Sequence, residues 1–319
     1  MKRLRVILKT IFPLGIGFLF LYLSYQSTTP EERAKVVESI QTADYRFVLL
    51  SVTFAILSHF SRAFRWQFLL QPLGYKPKLI NSLFTVMIAY LANLGIPRSG
   101  ELLRATMLSN YEGFAFEKVF GTIVAERAID LVLLFGFISL SLFMQYDLIW
   151  DLLGLNRLNP LYVGVIMALF LFLFWLARKI FAQSAHPFLR KIKNLFIGFG
   201  EGIATLKTMK KKGAFLFHTL FIWLMYLGMF YVIKWAIPGT YEMTWTMIIP
   251  AFVAGGLAIS ATNGGIGIYP YTVALMLNAF GISQEAGLAF GWIMWSSQTL
   301  MILFFGALSF FALPLVNRK

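Results

Sequence analysis

The chain has 319 residues, of which 59% are hydrophobic and 13% charged, and its mean hydropathy is +0.73. Soluble domains carry about 25% charged residues, so this composition excludes an ordinary globular cytoplasmic protein. The net charge of +14 does not indicate a nucleic-acid partner, because the basic residues lie in short stretches beside apolar segments. The sequence has no cysteine, which excludes disulfides and thiolate metal sites.

Six apolar segments are long enough to cross a bilayer as helices, and they predict an all-α polytopic membrane protein. They are residues 6–25, 46–70, 118–145, 158–182, 213–237 and 286–313. The first segment follows a basic start but lacks the small residues of a signal-peptide cleavage site, so we interpret it as an uncleaved span. Two further apolar regions, 79–112 and 244–282, are interrupted in the middle by Asn, Gly and Pro.

The distribution of Lys and Arg predicts the orientation of the chain. Residues 178–212 contain nine basic residues and one acid, and the N-terminal tail, residues 62–78 and the C-terminus are also basic. By the positive-inside rule these parts face the cytoplasm, so we expect a multi-pass protein of the bacterial inner membrane with both termini cytoplasmic. Within the linker 183–212, the apolar residues of 187–209 recur at helical spacing and predict an amphipathic helix on the cytoplasmic leaflet.

The same orientation constrains the two interrupted regions. An even number of crossings must separate the cytoplasmic stretches on either side of residues 79–182, so region 79–112 must return to the side from which it enters. By the same reasoning, region 244–282 enters from the external side and must return to that side. We therefore predict about six full transmembrane helices plus two oppositely oriented re-entrant hairpins. The alternative is eight to ten plain spans with kinks.

This pattern gives a single integral membrane domain, residues 1–319. Its first half is about 1–182 and its second half about 213–319, and each half contains one broken hairpin. Transporters built from inverted repeats bind their substrates near the membrane midplane, where such broken helices meet.

A first polar cluster, residues 93–104, interrupts the first hairpin. A new helix begins here, and its free N–H groups together with Arg98 and Arg104 would attract an anion. Asn93 lies at the same break. Glu101 is three residues from Arg104 and could pair with it. The alternative is an interfacial turn of solvated charges.

A second cluster, Glu126, Arg127 and Asp130, lies several residues inside an apolar span. Each charge would cost about 3 kcal/mol if it faced lipid at the bilayer centre. We therefore expect these side chains to face the protein interior and to pair with Arg98, with Arg104 or with each other. A purely structural ion network is the alternative.

A third cluster, Asn263, Gly264, Gly265 and Gly267, interrupts the second hairpin. Glycines allow successive N–H groups to converge on an anion, whereas small residues in membranes also serve close helix packing. Both interpretations stay open.

The remaining polar residues are not expected to bind a substrate, a metal or a cofactor. Arg62, Arg65 and Trp66 end the second span and are interpreted as interfacial anchors. The three histidines are scattered, and neither an H-E-x-x-H motif nor a Walker-type loop is present, so we expect no metal, no cofactor and no ATP hydrolysis.

Three motifs carry a resemblance to a known family. They are P-R-S-G-E-L-L-R at 97–104, T-I-V-A-E-R-A-I-D at 122–130 and N-G-G-I-G at 263–267. In this order they resemble the lysylphosphatidylglycerol synthase transmembrane family, the flippase part of those synthases and their stand-alone relatives.

The resemblance implies a protein that translocates lipids or handles their head groups. It implies these functional positions: Arg98, Glu101, Arg104, Glu126, Arg127, Asp130, Gly264, Gly265 and Gly267. The soluble aminoacyl-transfer domain of the bifunctional members is not found in this sequence, so synthase activity is not implied. Many relatives place an acid shortly after the glycine motif, where this chain has Tyr269 and Pro270.

The resulting hypothesis is a flippase for an anionic lipid, either a phospholipid or a polyprenyl-phosphate-linked lipid. Its phosphate would bind near the midplane between the two hairpin tips. One alternative is a membrane-embedded transferase for lipid head groups, with Glu126 or Asp130 as the base. Another is a non-transporting subunit that serves a separate transferase. The expected partners are membrane lipids, and no nucleic acid is expected.

Overall fold

The computed structural model describes residues 28–96, 98–145, 209–262 and 264–318, with a few residues between 19 and 26. This part of the chain is helical and contains no strand. The helices are α1 (Pro30–Gln41), α2 (Tyr45–Leu70), α3 (Leu79–Gly95), α4 (Ser99–Glu112), α5 (Phe116–Met144), α6 (Lys212–Ile233), α7 (Trp245–Ala261), α8 (Ile268–Asn278) and α9 (Gln284–Val316). The predicted all-α membrane fold is confirmed.

Four of the predicted spans correspond to α2, α5, α6 and α9, which are long and apolar enough to cross a membrane. The spans predicted at 6–25 and 158–182, and the amphipathic helix at 187–209, lie outside the described residues. Helix α1 lies between the predicted spans 6–25 and 46–70, where the sequence predicted no helix. Its start is fixed by a capping box, in which the side chains of Thr29 and Glu32 each accept the other's backbone N–H.

The two interrupted regions form helical hairpins. Helices α3 and α7 have 17 residues each, which corresponds to about 25 Å and is short of a hydrocarbon core of about 30 Å. In the first hairpin, Glu112 at the end of α4 accepts hydrogen bonds from the backbone N–H of Lys78 (2.9 Å) and from Asn81 (2.7 Å). The hairpin therefore returns to the level at which it starts, as predicted.

The second hairpin starts and ends at the opposite end of the helix bundle from the first hairpin. Gly239, just before α7, lies against Ala286 at the start of α9, where an added Cβ would be 2.9 Å from the Cβ of Ala286. Helices α2 and α6 run antiparallel, since Ser51 bonds to the carbonyl of Met229 (2.9 Å) and Ser61 to His218 (2.8 Å). The hairpin that follows α2 and the hairpin that follows α6 thus enter from opposite ends.

The long helix after each hairpin packs on the first helix of the other hairpin. Asn317 at the end of α9 exchanges hydrogen bonds with Asn81 in the first turn of α3 (2.8 and 3.0 Å). At the corresponding place, the side chain of Gln145 after α5 donates a hydrogen bond to the carbonyl of Thr246 in the first turn of α7. This reciprocal packing relates helices α2–α5 to helices α6–α9 as an inverted repeat.

The tips of the two hairpins contact each other. An added Cβ at Gly264 would be 2.7 Å from Cδ2 of Leu94, and the indole N–H of Trp295 donates to the carbonyl of Gly264 (2.7 Å). Asn93 is the neighbour of Leu94, so the first polar cluster lies beside the contact between the tips. The fold therefore brings both helix breaks to one place.

Candidate functional site

Helix α2 turns its polar side inward and its bulky apolar side outward. The large side chains of Leu57, Phe60 and Phe64 are exposed, whereas Arg62 and Arg65 are 2% and 0% exposed. A helix in lipid exposes its apolar face, because an unpaired guanidinium in hydrocarbon is costly. The interpretation of these two arginines as interfacial anchors was wrong: they lie at the centre of the bundle.

Glu126 is the centre of a buried ion cluster. Its carboxylate is fully buried and contacts Arg62 (2.6 Å), Arg65 (3.2 Å) and Arg104 (3.1 Å). Helix α5 supplies the acid, α2 supplies two of the arginines, and α4 of the first hairpin supplies the third. One carboxylate thus connects the hairpin to two long helices.

Asp130 lies one turn further along α5 and strengthens the same cluster. It accepts hydrogen bonds from Arg62 (2.8 Å) and Arg65 (2.8 Å). Helix α6 contributes neutral partners, since Arg62 donates to the hydroxyl of Tyr226 (3.0 Å) and Arg65 to that of Thr219 (3.3 Å). The expectation that the acids of α5 face the interior is met by these contacts.

Trp66 also belongs to the cluster. The guanidinium carbon of Arg104 lies 3.7 Å from the centre of its ring, a cation–π geometry, and its indole N–H donates to Thr122 (2.9 Å). Trp66 therefore helps Glu126 to hold Arg104 in place.

Arg127 and Glu101 form a second, more exposed pair beside the buried cluster. Their side chains are 39% and 22% exposed and lie 3.2 Å apart. Asn93 joins them: its amide nitrogen lies 3.5 Å from Glu101, and its amide oxygen accepts the backbone N–H of Gly100 (2.7 Å). The pairing predicted for Glu101 with Arg104 is not formed, because Arg104 bonds to Glu126 instead.

The residues that neutralise the acids of α5 also differ from those expected. Arg127 lies 3.8 Å from Asp130, whereas Arg62 and Arg65 are both at 2.8 Å. Arg62 and Arg65 are thus the principal counter-ions of the acids of α5. The signal that could have found them is the spacing of Leu57, Phe60 and Phe64, which marks the lipid-facing side of α2.

A small cavity opens between the two groups of charges. It has a volume of about 10 Å³, which is enough for about one water molecule. Its lining comes from α3, α4 and α5 and comprises Val86, Ala89, Tyr90, Asn93, Glu101, Arg104 and Arg127. The cavity therefore touches both the buried cluster and the exposed pair.

Arg98 and the glycines of the second hairpin lie at the tips. Arg98 is exposed, has a left-handed φ of 60°, and forms no ion pair or hydrogen bond with the described residues. Gly264, Gly265 and Gly267 have φ of 63°, 79° and 71°, conformations that favour glycine. The contact of Gly264 with Leu94 supports the packing interpretation of this motif, and Asn263 lies outside the described residues.

The position after the glycine motif is used for packing. Tyr269 is buried, and its ring would lie 2.7 Å from an added Cβ at Gly255. An added Cβ at Gly291 would lie 2.6 Å from Cα of Pro270. The two residues Tyr269 and Pro270 therefore hold α8 against α7 and α9. In the part of the chain that the structure describes, no group of three metal-ligating side chains is found.

Comparison with known proteins agrees with this architecture. The family described as the lysylphosphatidylglycerol synthase TM region matches residues 10–307, nearly the whole chain. The chain belongs to this family. It is also similar to the UPF0104 membrane protein PH1989 of Pyrococcus horikoshii, with 22% identity over 274 residues that cover 78% of this chain and 82% of that protein. No solved structure matches the chain.

This family member is a multi-pass membrane protein, and its family is linked to lipid flippase function. The motifs that carried the resemblance lie on α4, on α5 and at the tip of the second hairpin. Helix α2, which supplies Arg62, Arg65 and Trp66, is an equal part of the site although no motif pointed to it.

Proposed function

We propose that this protein translocates an anionic lipid across the bacterial inner membrane and that the lipid phosphate binds beside the buried ion cluster. The observation that carries the proposal is the position of the cluster. Charged side chains from α2, α4 and α5 converge next to the place where two oppositely oriented hairpins meet. Inverted repeats with broken helices are the architecture of transporters that alternate access around a central site.

The cavity beside Arg104 and Arg127 is the proposed phosphate position. Arginine suits this role because its planar guanidinium binds phosphate oxygens through parallel hydrogen bonds. A cavity of about 10 Å³ is too small for a phosphate, so the hairpin tips at Leu94 and Gly264 must separate before binding. The acyl chains would stay in the bilayer while the head group passes between the hairpins.

The alternative of a head-group transferase is less well supported. Glu126, the candidate base, is surrounded by Arg62, Arg65 and Arg104, and Asp130 by Arg62 and Arg65. A carboxylate whose oxygens already accept from several guanidinium groups is poorly placed to take a proton from a substrate. We therefore propose a non-enzymatic role with membrane lipids as partners. We also propose that both termini and the basic stretch before α6 face the cytoplasm. A single cysteine introduced at Lys210, in that stretch, should then be labelled from the cytoplasmic side only.

Reconstitution into liposomes tests the proposal. The purified full chain is incorporated into vesicles that contain a trace of phosphatidylglycerol with a fluorescent acyl chain, and a membrane-impermeant quencher reports the fraction of label in the outer leaflet. We expect label from the inner leaflet to become quenchable in vesicles with the protein and to stay protected in empty vesicles.

Two controls sharpen this test. Glu117→Gln alters an exposed acid at the start of α5, outside the cluster, and should transport like the wild type. A zwitterionic phosphatidylcholine label measures head-group selectivity. Protection equal to that of empty vesicles for every lipid would contradict the proposal, and transport that appears only with a purified partner transferase would favour the subunit hypothesis.

A further inference from the structure

The charges around the cavity do not balance. Four guanidinium groups converge here, those of Arg62, Arg65, Arg104 and Arg127. Three carboxylates face them, those of Glu101, Glu126 and Asp130. Four positive and three negative charges leave one positive charge in excess. The three least exposed arginines already exceed the two buried acids, Glu126 and Asp130, by the same single charge.

The excess charge has free donors next to the cavity. The Nε atoms of Arg104 and Arg127 are buried and form no hydrogen bond, and both residues line the cavity. Arg104 itself is only 2% exposed, so its Nε is shielded from the bulk solvent. Buried donors without partners are costly, and an anion that enters the cavity would satisfy them.

We propose that the site selects a phosphodiester with a single negative charge and that Glu101 sets this limit. The inference rests on the proposed function, because it names the charge of the lipid that the site accepts. One negative charge makes the cluster neutral, whereas a phosphomonoester with two charges leaves an unpaired negative charge in a medium of low dielectric constant. A phosphodiester phospholipid therefore fits the site better than a lipid monophosphate.

Glu101 is suited to this role by its place on α4. Arg104, one turn further on the same helix, is fixed by Glu126 and by the ring of Trp66. The carboxylate of Glu101 therefore stays beside Arg127, from which it lies 3.2 Å away, while the ligand takes the Nε donors of Arg104 and Arg127 that have no partner. Glu101 is also partly exposed, so its charge can be removed with little risk to the fold.

Binding measurements with charge variants test this inference. The full chain in detergent micelles is titrated with dihexanoyl phosphatidylglycerol and with dihexanoyl phosphatidic acid at pH 8. At this pH the phosphomonoester carries close to two charges, because its second pKa is about 6. The excess is one positive charge in the wild type, two in Glu101→Gln and none in Arg127→Gln. It returns to one in the double variant Glu101→Gln/Arg127→Gln.

We expect the wild type and the double variant to prefer phosphatidylglycerol, and Glu101→Gln to shift the ratio of the two affinities toward phosphatidic acid by at least about tenfold. Arg127→Gln should weaken the binding of both lipids. Glu117→Gln, with the same change of charge at an exposed position, should keep the wild-type ratio. Restoration of the ratio in the double variant would show that charge is the cause, since a merely structural role would make two substitutions worse than one.

The inference is overturned if Glu101→Gln leaves the ratio as it is in Glu117→Gln, or if the wild type prefers the phosphomonoester. The deacylated head group, glycerophosphoglycerol, should bind at least about tenfold more weakly than the lipid, because it has no chains to bury. Equal binding of the head group would assign the site to a soluble phosphodiester and overturn the lipid assignment. Because binding is measured without transport, the charge rule can hold even if the liposome test fails.

Discussion

The two halves of this protein share one architecture and differ in chemistry. Helices α2, α4 and α5 hold the interior charges, and α5 carries Glu126 and Asp130 deep in the bundle. Helices α7 and α8 contain no charged residue, and α9 has one, Glu285, in its first turn. Counted from the start of each long helix, the place of Asp130 on α5 is taken on α9 by Gln298, a neutral residue that donates to Ser51 (3.3 Å).

The second half uses glycines where the first uses ion pairs. Gly264 meets the first hairpin tip, while Gly287 and Gly291 bring α9 against α8, where added Cβ atoms would lie 2.9 and 2.6 Å from backbone carbons of Ala274 and Pro270. Small residues allow close contact of helices in membranes, where lipid gives no hydrophobic drive for association. Under the proposed function, the first half would bind the anion, and the second half would pack and move against it.

The largest effect that would break this division is expected at Glu126. In Glu126→Gln the amide cannot neutralise Arg62, Arg65 and Arg104, which stay buried. Removing one partner of a buried ion pair typically costs about 3–5 kcal/mol. We expect a large fall of the melting temperature in detergent, while Glu117→Gln melts like the wild type. A wild-type melting temperature for Glu126→Gln would show that the cluster is hydrated and does not hold the helices together.

The sequence predicted the acids of this cluster but only one of its main bases. Charges inside an apolar span must find partners, so the inward position of Glu126 and Asp130 follows from the cost of exposing them to lipid. Arg62 and Arg65 are close to the end of an apolar segment, where arginines also snorkel to the interface. Only the packing of the helices decides whether these arginines are buried or interfacial, and it directs both side chains toward α5.

The hairpins were predicted from the Lys and Arg distribution and the number of crossings that it allows. The contacts between the hairpins are seen only in the structure. Loop charges and interrupted apolar regions were enough to expect two oppositely oriented breaks. That Gly264 touches Leu94 could not be predicted, because the contact depends on how α9 packs on α3 and α5 on α7. Helix α1 was missed although its capping box, Thr29 with Glu32, was readable in the sequence.

A smaller effect is expected at the tip of the glycine half. Gly264→Ala places a Cβ in a left-handed conformation, which costs about 1–2 kcal/mol, and presses it against Leu94, which costs about 1–3 kcal/mol more. We expect lower thermal stability and slower lipid transport, because the tips close less well, whereas the affinity for phosphatidylglycerol in detergent should not fall, since the tips separate before binding. Transport is measured by the liposome assay and affinity by titration.

Gly281→Ala is the matched control for this substitution. Gly281 has a φ of 86°, and an added Cβ there has nothing within 4 Å. It therefore carries the same backbone strain without contact to the other hairpin, and it should lose stability but keep its transport rate. Equal loss of transport in both variants would mean that tip contact is irrelevant. A loss of phosphatidylglycerol affinity in Gly264→Ala alone would move part of the binding site into the glycine half.

The smallest effect on stability, and the sharpest test of the charged half, is expected at Arg98. Its φ of 60° strains a residue other than glycine, and its exposed side chain has no partner among the described residues. Arg98→Gly removes that strain and should raise the free energy of unfolding by up to about 1 kcal/mol. Arg98→Lys keeps both the strain and the charge and should melt like the wild type.

If the charge of Arg98 attracts the lipid phosphate toward the tip, Arg98→Gly should transport more slowly although it is more stable. The difference in transport rate from the wild type should shrink at high salt. Arg98→Lys should keep part of the rate, because lysine retains the charge but not the bidentate guanidinium. A rate for Arg98→Gly equal to the wild type at low salt would confine anion binding to Arg104 and Arg127, whereas loss of stability would reveal a packing role for this side chain.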